Sequence, residues 1–181
     1  MLKSVDTQND MTKPQLAQSG LRWLWLTVIC LIIDQVTKIY VANNFSLYES
    51  IAVIPMFNLT YVHNEGAAFS FLSEAGGWQR WFFTAIAVTI SCLLTYWLRA
   101  LHKTEKLLSI AYALVLSGAL GNLIDRVAYG YVIDFLDVYY GNYHWPAFNI
   151  ADAAICGGAM LIIYDAITNK DDQSSAEESK K

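Results

Sequence analysis

Four long apolar segments constrain this chain more than any other feature of its sequence. Two of them carry no charged residue over eighteen positions, and the other two hold one or two charges each. A helix needs about 20 mostly apolar residues to cross a bilayer. The segments are Trp23–Val41, Trp81–Leu98, Leu107–Ile124 and Ala147–Tyr164. The sequence therefore predicts an all-α polytopic membrane protein with four transmembrane helices.

The composition excludes several other classes of protein. Of the 181 residues, 55% are hydrophobic and only 15% are charged, whereas soluble proteins carry roughly 25% charged residues. The formal net charge is -4 and no Lys/Arg-rich run occurs, so nucleic-acid binding is not expected. The three cysteines lie in apolar stretches without CxxC spacing, which supports neither a disulfide framework nor a zinc site.

The basic residues predict how the chain is oriented in the membrane. Nine of the twelve Lys and Arg residues fall before the first span, between the second and third spans, or after the fourth. Because cytoplasmic segments are enriched in Lys and Arg, we expect both termini in the cytoplasm. Polar composition predicts disordered tails over residues 1–20 and 169–181, which flank a single membrane domain over residues 21–168.

The first outer connection has the period of β-structure rather than that of a helix. Its larger side chains recur at every second position: Ile51, Val53, Pro55, Phe57, Leu59 and Tyr61. Period two with a proline inside is typical of edge-type strands. A turn then leads into a short apolar piece, Phe69–Leu72. We therefore predict a small extracytoplasmic platform over about residues 43–79.

Two aspartates lie in or near apolar segments. Asp134 is flanked by Val132, Ile133, Phe135 and Leu136, a setting that raises the pKa of a carboxyl group. Asp152 lies at the start of the last span, where the helix dipole and an Asn149 cap offer a purely structural explanation. The two aspartates are eighteen positions apart on the same side of the membrane. Paired carboxylates that share a proton can activate water. Nearby Asp137 is expected to be a solvated loop residue.

Further polar residues accompany the spans. Asp34 and Lys38 are four positions apart, so they can pair on one helix face. Asn122 and Arg126 share a face of the third span in the same way. Asp125 and Arg126 have an alternative interpretation as an ion pair that snorkels to the membrane surface.

Motifs of metalloproteases, serine hydrolases and nucleotide-binding proteins are missing from the sequence. A transporter is the alternative hypothesis. No HExxH, Gly-x-Ser-x-Gly or GxxxxGK[ST] motif occurs. In a transporter, Asp34, Asp134 and Asp152 would form a proton relay. An inverted repeat would favour that alternative, and none is visible.

At this point five blocks of sequence, in order along the membrane portion, resemble one family. The chain is similar to the lipoprotein signal peptidases (signal peptidase II), bacterial aspartic enzymes. The matching blocks are Asp34–Lys38, Asn64–Phe69, Gly121–Arg126, Val132–Phe135 and Phe148–Asp152. The last three together are the specific signal.

The resemblance implies a fold and a set of roles. The fold is four transmembrane helices with a small extracytoplasmic β-cradle and a short surface helix. Asp134 and Asp152 match the catalytic dyad. The residues that match substrate-binding or supporting positions are Asn64, Gly66, Asn122, Arg126, Asn149, Ala151, Asp34, Lys38 and Asp125.

The same resemblance implies an activity and a location. The expected substrates are diacylglyceryl-modified prolipoproteins, cut just before the lipidated cysteine, and the expected surroundings are the lipids of the bacterial inner membrane. The dyad would work near the extracytoplasmic face. No cofactor, nucleic acid or obligate protein partner is implied.

Overall fold

The computed structural model describes residues 18–66 and 77–178. A 3₁₀ turn, Gly20–Trp23, leads into the first of four helices. The elements are α1 (Leu24–Asn44), β1 (Ser50–Ile54), β2 (Phe57–Asn64), α2 (Gln79–Ala100), α3 (Lys106–Ala128), β3 (Val132–Tyr140), β4 (Tyr143–His144) and α4 (Ile150–Glu178). Among the described residues, four helices are long and apolar enough to cross a membrane, which confirms the predicted spans.

Helix α3 is the central helix of the bundle. It packs against α1, α2 and α4. Half of the residues in its most apolar stretch are buried inside the protein, whereas 22% or less are buried in the corresponding stretch of each other helix. Small residues permit this close packing. A Cβ atom on Gly121 would lie 2.6 Å from Asp34 Oδ2 of α1 and 3.1 Å from Ala151 Cβ of α4. Glycine at this position therefore lets three helices meet.

The outer faces of the helices are apolar. Exposed large side chains include Ile32 and Val36 on α1, Trp81 on α2, and Met160 and Ile163 on α4. A water-facing helix would present polar side chains on such a face. Lipid is the solvent that these faces fit.

Within the described residues, a four-stranded antiparallel sheet in the order β1-β2-β3-β4 joins the α1–α2 and α3–α4 connections. This confirms the small sheet expected from the period-two pattern. Pro55 lies in the turn between β1 and β2, since Ile54 pairs with Phe57, rather than inside an edge strand. Strand β2 then pairs with β3 over the register from Phe57↔Val138 to Asn64↔Val132. This pairing brings the Asn64 region beside Asp134.

Strand β3 places Asp134 in the antiparallel sheet, where it pairs with Val62. Asp134 is the third residue of a nine-residue strand. The chain then returns along β3, because Phe148 and Leu136 exchange backbone hydrogen bonds of 2.8 and 3.1 Å. This return places the start of α4 directly beside the strand. The β-bridge between Leu136 and Phe148 therefore brings the start of α4, which carries Asp152, close to Asp134.

The described residues extend beyond the predicted membrane domain, residues 21–168, at both ends. Ser19 is fully buried and Gly20 N donates to Leu101 O at 3.0 Å, so contacts with the helix bundle begin before residue 21. Helix α4 continues to Glu178, because the residues that follow the membrane-spanning part include good helix formers. Residues 1–17 and the predicted surface helix near Phe69–Leu72 lie outside the described residues.

Candidate functional site

Asp134 is buried on the face of the sheet that points toward α4. Asp134 is only 2% exposed. Each of its oxygens accepts a hydrogen bond from an amide: Asn149 Nδ2 donates to Oδ1 at 2.6 Å and Asn64 Nδ2 donates to Oδ2 at 2.8 Å. Gly66 N in turn donates to Asn64 Oδ1 at 3.0 Å. Asn64 is thereby oriented with its NH₂ group toward Asp134.

Asp152 lies in the first turn of α4 and forms a reciprocal cap with Asn149. Asp152 N donates to Asn149 Oδ1 at 2.9 Å, and Asn149 N donates to Asp152 Oδ2 at 3.3 Å. This is the capping-box arrangement, which satisfies two otherwise unpaired N–H groups of the helix start. The expected Asn149 cap is thus present. Asp152 also accepts from Asn122 Nδ2 at 2.7 Å, so it does more than cap the helix.

Asn149 joins the two aspartates. It is fully buried, and its side chain binds Asp134 while its backbone N–H binds Asp152. One residue therefore fixes the position of both carboxyl groups. A buried asparagine with its hydrogen bonds satisfied holds its neighbours rigidly, since leaving any of these groups unpaired would cost about 1–3 kcal/mol.

The electrostatics of Asp134 suit acid/base chemistry near neutral pH. Burial raises the pKa of Asp134 to about 7, and the nearby charge of Asp152 acts in the same direction. The hydrogen bonds from Asn64 and Asn149 and the charge of Lys38 lower the pKa of Asp134 and only partly offset this rise. Two carboxyl groups that interact in this way titrate as a coupled pair.

Asp34, Lys38 and Asp125 form a buried ionic triad behind the aspartates. Lys38 Nζ lies 2.9 Å from Asp34 Oδ2 and 2.9 Å from Asp125 Oδ2, and all three residues are 1% exposed. The predicted i,i+4 pair is therefore present and has a second acidic partner. The snorkelling interpretation of Asp125 is wrong, because its carboxylate points into the protein.

The triad also supports the backbone around the aspartates. Asp34 Oδ1 accepts from Ala151 N at 2.8 Å, so a carboxylate from α1 caps the first turn of α4. Asp125 Oδ2 accepts from Ile133 N at 3.2 Å, next to Asp134. An uncompensated buried charge costs several kcal/mol. The ionic and backbone contacts together compensate these charges.

Arg126 is buried beside the same group of residues. Its guanidinium donates to Gly66 O at 3.1 Å and to Asn122 O at 3.4 Å. Its Cζ lies 5.4 Å from the centre of the Phe83 ring, within reach of a cation–π interaction. The residue is 9% exposed, so the snorkelling interpretation fails for Arg126 as well.

The structure brings together all eleven site residues that the sequence indicates, and it adds others. Gln35 Nε2 donates to Asp34, to Asp125 and to Gly121 O at 3.0–3.3 Å. The signal for Gln35 was available, because a polar residue inside a membrane span is a functional or structural hypothesis by default. The Phe83 contact gave no such signal, since the residue lies in an apolar run.

Asp137 is not the solvated loop residue that the sequence suggested. It is 6% exposed within β3, where Asn58 Nδ2 donates to it at 2.9 Å and His144 Nδ1 lies 2.8 Å from Oδ1. Burial raises the pKa of Asp137, but the hydrogen bonds from His144, Asn58 and Thr60 outweigh this effect and leave the pKa below its ordinary value. Because successive strand residues point to opposite faces, Asp137 faces away from Asp134.

Asp137→Asn is accordingly expected to affect stability and not turnover. The amide replaces the carboxylate that bonds to His144, and we expect a loss of about 1–2 kcal/mol from the free energy of unfolding. Turnover at 25 °C should match that of the unsubstituted protein. A peptidase assay alongside thermal unfolding measures both. Loss of turnover in folded Asp137→Asn protein would mean that the wrong pair of aspartates has been selected.

Within the described ranges 18–66 and 77–178, no group of three or more His, Cys, Asp or Glu residues is arranged to hold a metal ion. The cysteines are free thiols, and Cys92 and Cys156 are exposed on the lipid-facing surface. The donor set around Asp134 and Asp152 consists of amide and backbone N–H groups. These groups donate hydrogen bonds to the carboxylate oxygens.

Comparison with known proteins identifies the family. The family model described as Signal peptidase (SPase) II matches residues 26–168. The Lipoprotein signal peptidase of Alteromonas mediterranea is 57% identical over 157 residues, which cover 87% of this chain and 86% of that protein. The Lipoprotein signal peptidase of Shewanella pealeana is 59% identical over 158 residues, covering 87% and 93%.

Solved structures agree with the sequence comparison. The structure of a bacterial membrane enzyme determined by the in meso method at 2.3 Å resolution aligns with a TM-score of 0.76 and 35% identity, covering 84% of this chain and 92% of that one. A second such structure, at 1.9 Å resolution, gives a TM-score of 0.72 and 36% identity over 82% and 95%. The family expected from the five sequence blocks is therefore confirmed: this chain belongs to the signal peptidase II family, the lipoprotein signal peptidases.

Proposed function

We propose that Asp134 and Asp152 form a catalytic dyad that hydrolyses diacylglyceryl-modified prolipoproteins just before the lipidated cysteine. The observation that carries the proposal is the Asn149 contact, in which one buried residue donates to both carboxyl groups. Membership of a peptidase family favours hydrolysis over the proton-relay alternative.

The proposed reaction needs one carboxylate and one carboxylic acid. The ionised aspartate accepts a proton from water, whose oxygen attacks the carbonyl carbon of the scissile bond. The protonated aspartate donates its proton to the carbonyl oxygen, giving a tetrahedral diol. Collapse of the diol breaks the C–N bond and returns a proton to the amine of the cysteine. The products are a signal peptide carboxylate and a lipoprotein with a free amino terminus.

The raised pKa of Asp134 supports this division of roles. At neutral pH a group with a pKa of about 7 is present in both protonation states. Turnover should fall at low pH, where both groups are protonated, and at high pH, where both are ionised.

The orientation in the membrane belongs to the same proposal. Asp134 lies on β3 and Asp152 at the start of α4, at the end of the bundle where α3 ends. The positive-inside rule places this end of the bundle on the extracytoplasmic side and both termini in the cytoplasm. A diacylated cysteine held in the outer leaflet then presents its scissile bond at the depth of the dyad.

Cleavage of a defined substrate tests the proposal. Purified protein in detergent or vesicles should cleave a diacylated prolipoprotein, and mass spectrometry should find the lipidated cysteine at the new amino terminus. In water enriched in heavy oxygen, the label should enter the new carboxylate of the signal peptide. A chelator should leave the rate unchanged.

The same precursor without its diacylglyceryl group is the matched control and should remain intact. Cleavage at another bond, or equal cleavage of the unmodified precursor, would contradict the proposed substrate. A rate that a chelator abolishes would contradict the proposed chemistry.

A further inference from the structure

Lys38 is held behind the aspartates with all of its donors used. Its ammonium group lies within 3.0 Å of three oxygens, Asp34 Oδ2, Asp125 Oδ2 and Asn122 Oδ1. An ammonium group has three N–H donors and no acceptor. The side chain is 1% exposed, and these three contacts are to Asp34, Asp125 and Asn122 rather than to the aspartate pair.

The contact with Asn122 determines which way that side-chain amide points. The oxygen and nitrogen of an asparagine amide are nearly interchangeable in shape, so their placement must follow from the neighbouring donors and acceptors. A donor-only ammonium requires the oxygen of Asn122 to face Lys38. The NH₂ group of Asn122 therefore faces the other way, toward Asp152 Oδ1 at 2.7 Å.

The side-chain amide of Asn149 is oriented in turn by the side-chain amide of Asn122. Asn149 Nδ2 lies 3.3 Å from Asn122 Oδ1 and 2.6 Å from Asp134 Oδ1. Asn122 Oδ1 thus accepts from both Lys38 and Asn149. If the Asn122 amide turned over, its NH₂ group would oppose two donors and its oxygen would face the Asp152 carboxylate. That arrangement would leave several buried groups unpaired, at about 1–3 kcal/mol each.

We infer that Lys38 is a positioning residue for the aspartate pair, acting through the side-chain amide of Asn122. Its ammonium fixes the Asn122 oxygen, and this sets the NH₂ donor that holds Asp152 in place. The inference rests on the proposed function, because it assigns a role in aligning the dyad. In this role Lys38 does more than pair with Asp34 and Asp125, because its contact with Asn122 affects the position of Asp152.

The charge of Lys38 gives the inference a second readout. The charged groups around the aspartate pair are Asp34 and Lys38 on α1 and Asp125 and Arg126 on α3. Lys38 lowers the pKa of Asp134. Without Lys38, Asp34 and Asp125 remain as negative neighbours, so the pKa of Asp134 should rise.

Lys38→Met is the principal test, because it keeps the length of the buried side chain and removes the donor and the charge. We expect kcat to fall about 100-fold, as for misplacement of a catalytic group by about 1 Å, with KM unchanged. The pH profile of kcat/KM should move to higher pH by about one unit. Purified folded protein and a diacylated prolipoprotein are used throughout.

Two further variants keep the inference falsifiable. Lys38→Met combined with Asp125→Asn removes one positive and one negative charge together, so no shift of the pH profile is expected from it. If the single variant does not fold, the double variant is judged by a fall in kcat with KM unchanged. Thr27→Val is the matched stability control, since Thr27 Oγ1 donates to Ala113 O at 2.9 Å across the same α1–α3 contact, away from Asn122. It should lower stability and leave the pH profile in place.

Each outcome decides the question. A fall in kcat with a shifted pH profile and an unchanged KM supports the positioning role. A fall in activity of the single variant without a shift, or a rise in KM alone, overturns it, and so does failure of both Lys38 variants to fold. Turnover that persists in Asp134→Asn or Asp152→Asn protein with Lys38 intact would instead refute the proposed dyad, whatever the Lys38 variants show.

Discussion

Asp134→Asn and Asp152→Asn are each expected to reduce turnover of a diacylated prolipoprotein by about 10³- to 10⁴-fold. An asparagine at either position cannot take a proton from water or donate one to the carbonyl oxygen. Because the two groups share a proton and act together, the double variant should be no slower than the slower single variant. Steady-state assays on the three purified variants measure this directly.

The replacement is not structurally neutral, and the contacts show why. Both oxygens of Asp134 accept from amide NH₂ groups, those of Asn149 and Asn64. An NH₂ group at position 134 would therefore oppose a donor. We expect Asp134→Asn to lose about 1–3 kcal/mol of stability in addition to its activity.

Stability and substrate binding must therefore be measured with activity. Thermal unfolding shows whether each variant is folded at the assay temperature, and retention of the uncleaved precursor shows whether the pocket survives. Asp137→Asn is the matched control, since it changes a buried aspartate of the same strand that faces away from α4. Ordinary turnover in either Asp134→Asn or Asp152→Asn would contradict the dyad.

The parts of this site that depend on local chemistry could be predicted from the sequence. The four spans follow from length and apolarity alone. The Asp34–Lys38 pair follows from the helical repeat, and the Asn149 cap follows from its spacing to Asp152. In each case the interacting residues are neighbours along one helix or one segment.

Strand β3 could not be predicted in the same way. Val132, Ile133, Asp134 and Phe135 are all buried, so no alternation of buried and exposed positions marks a strand. Its hydrogen-bonding partner β2 lies some seventy positions earlier in the chain. The burial of Asp137 likewise depends on contacts with Asn58 and His144 from two other strands.

The orientation of the buried side-chain amides is even harder to predict from the sequence. Lys38, Asn122 and Asn149 come from three different helices or their caps, and their mutual distances decide which atom donates. A motif identifies an asparagine at the right place. Only the assembled network shows that the Asn122 oxygen faces a cation and that its NH₂ group faces a carboxylate.

Close packing of α3 against α4 leads to the second large expected effect. A Cβ atom on Gly118 would collide with the carbonyl oxygen of Ala151 and would lie 2.6 Å from Ile155 Cγ1. The Ala151 backbone cannot easily move, because its N–H is bound to Asp34 at 2.8 Å. Gly118→Ala should therefore displace the first turn of α4, which carries Asp152.

We expect Gly118→Ala to lower turnover about 100-fold, as for an active-site displacement of about 1 Å. Overpacking of this contact should also cost about 1–3 kcal/mol of stability. Assays of kcat and thermal unfolding of the purified variant measure the two effects. Gly157→Ala is the first control, since no other group lies within 4 Å of a Cβ there. It should keep its activity and gain up to about 1 kcal/mol from helix propensity.

Gly158→Ala separates lost stability from lost alignment. A Cβ on Gly158 would lie 2.7 Å from Ala111 O and 2.6 Å from Val115 Cγ2, so it strains the same pair of helices. Gly158 lies about 9 Å from Asp152 along the axis of α4. Gly158→Ala should therefore lose stability with a smaller loss of turnover than Gly118→Ala. Equal losses of turnover in the two variants would mean that the spacing at Gly118 has no special role in aligning Asp152.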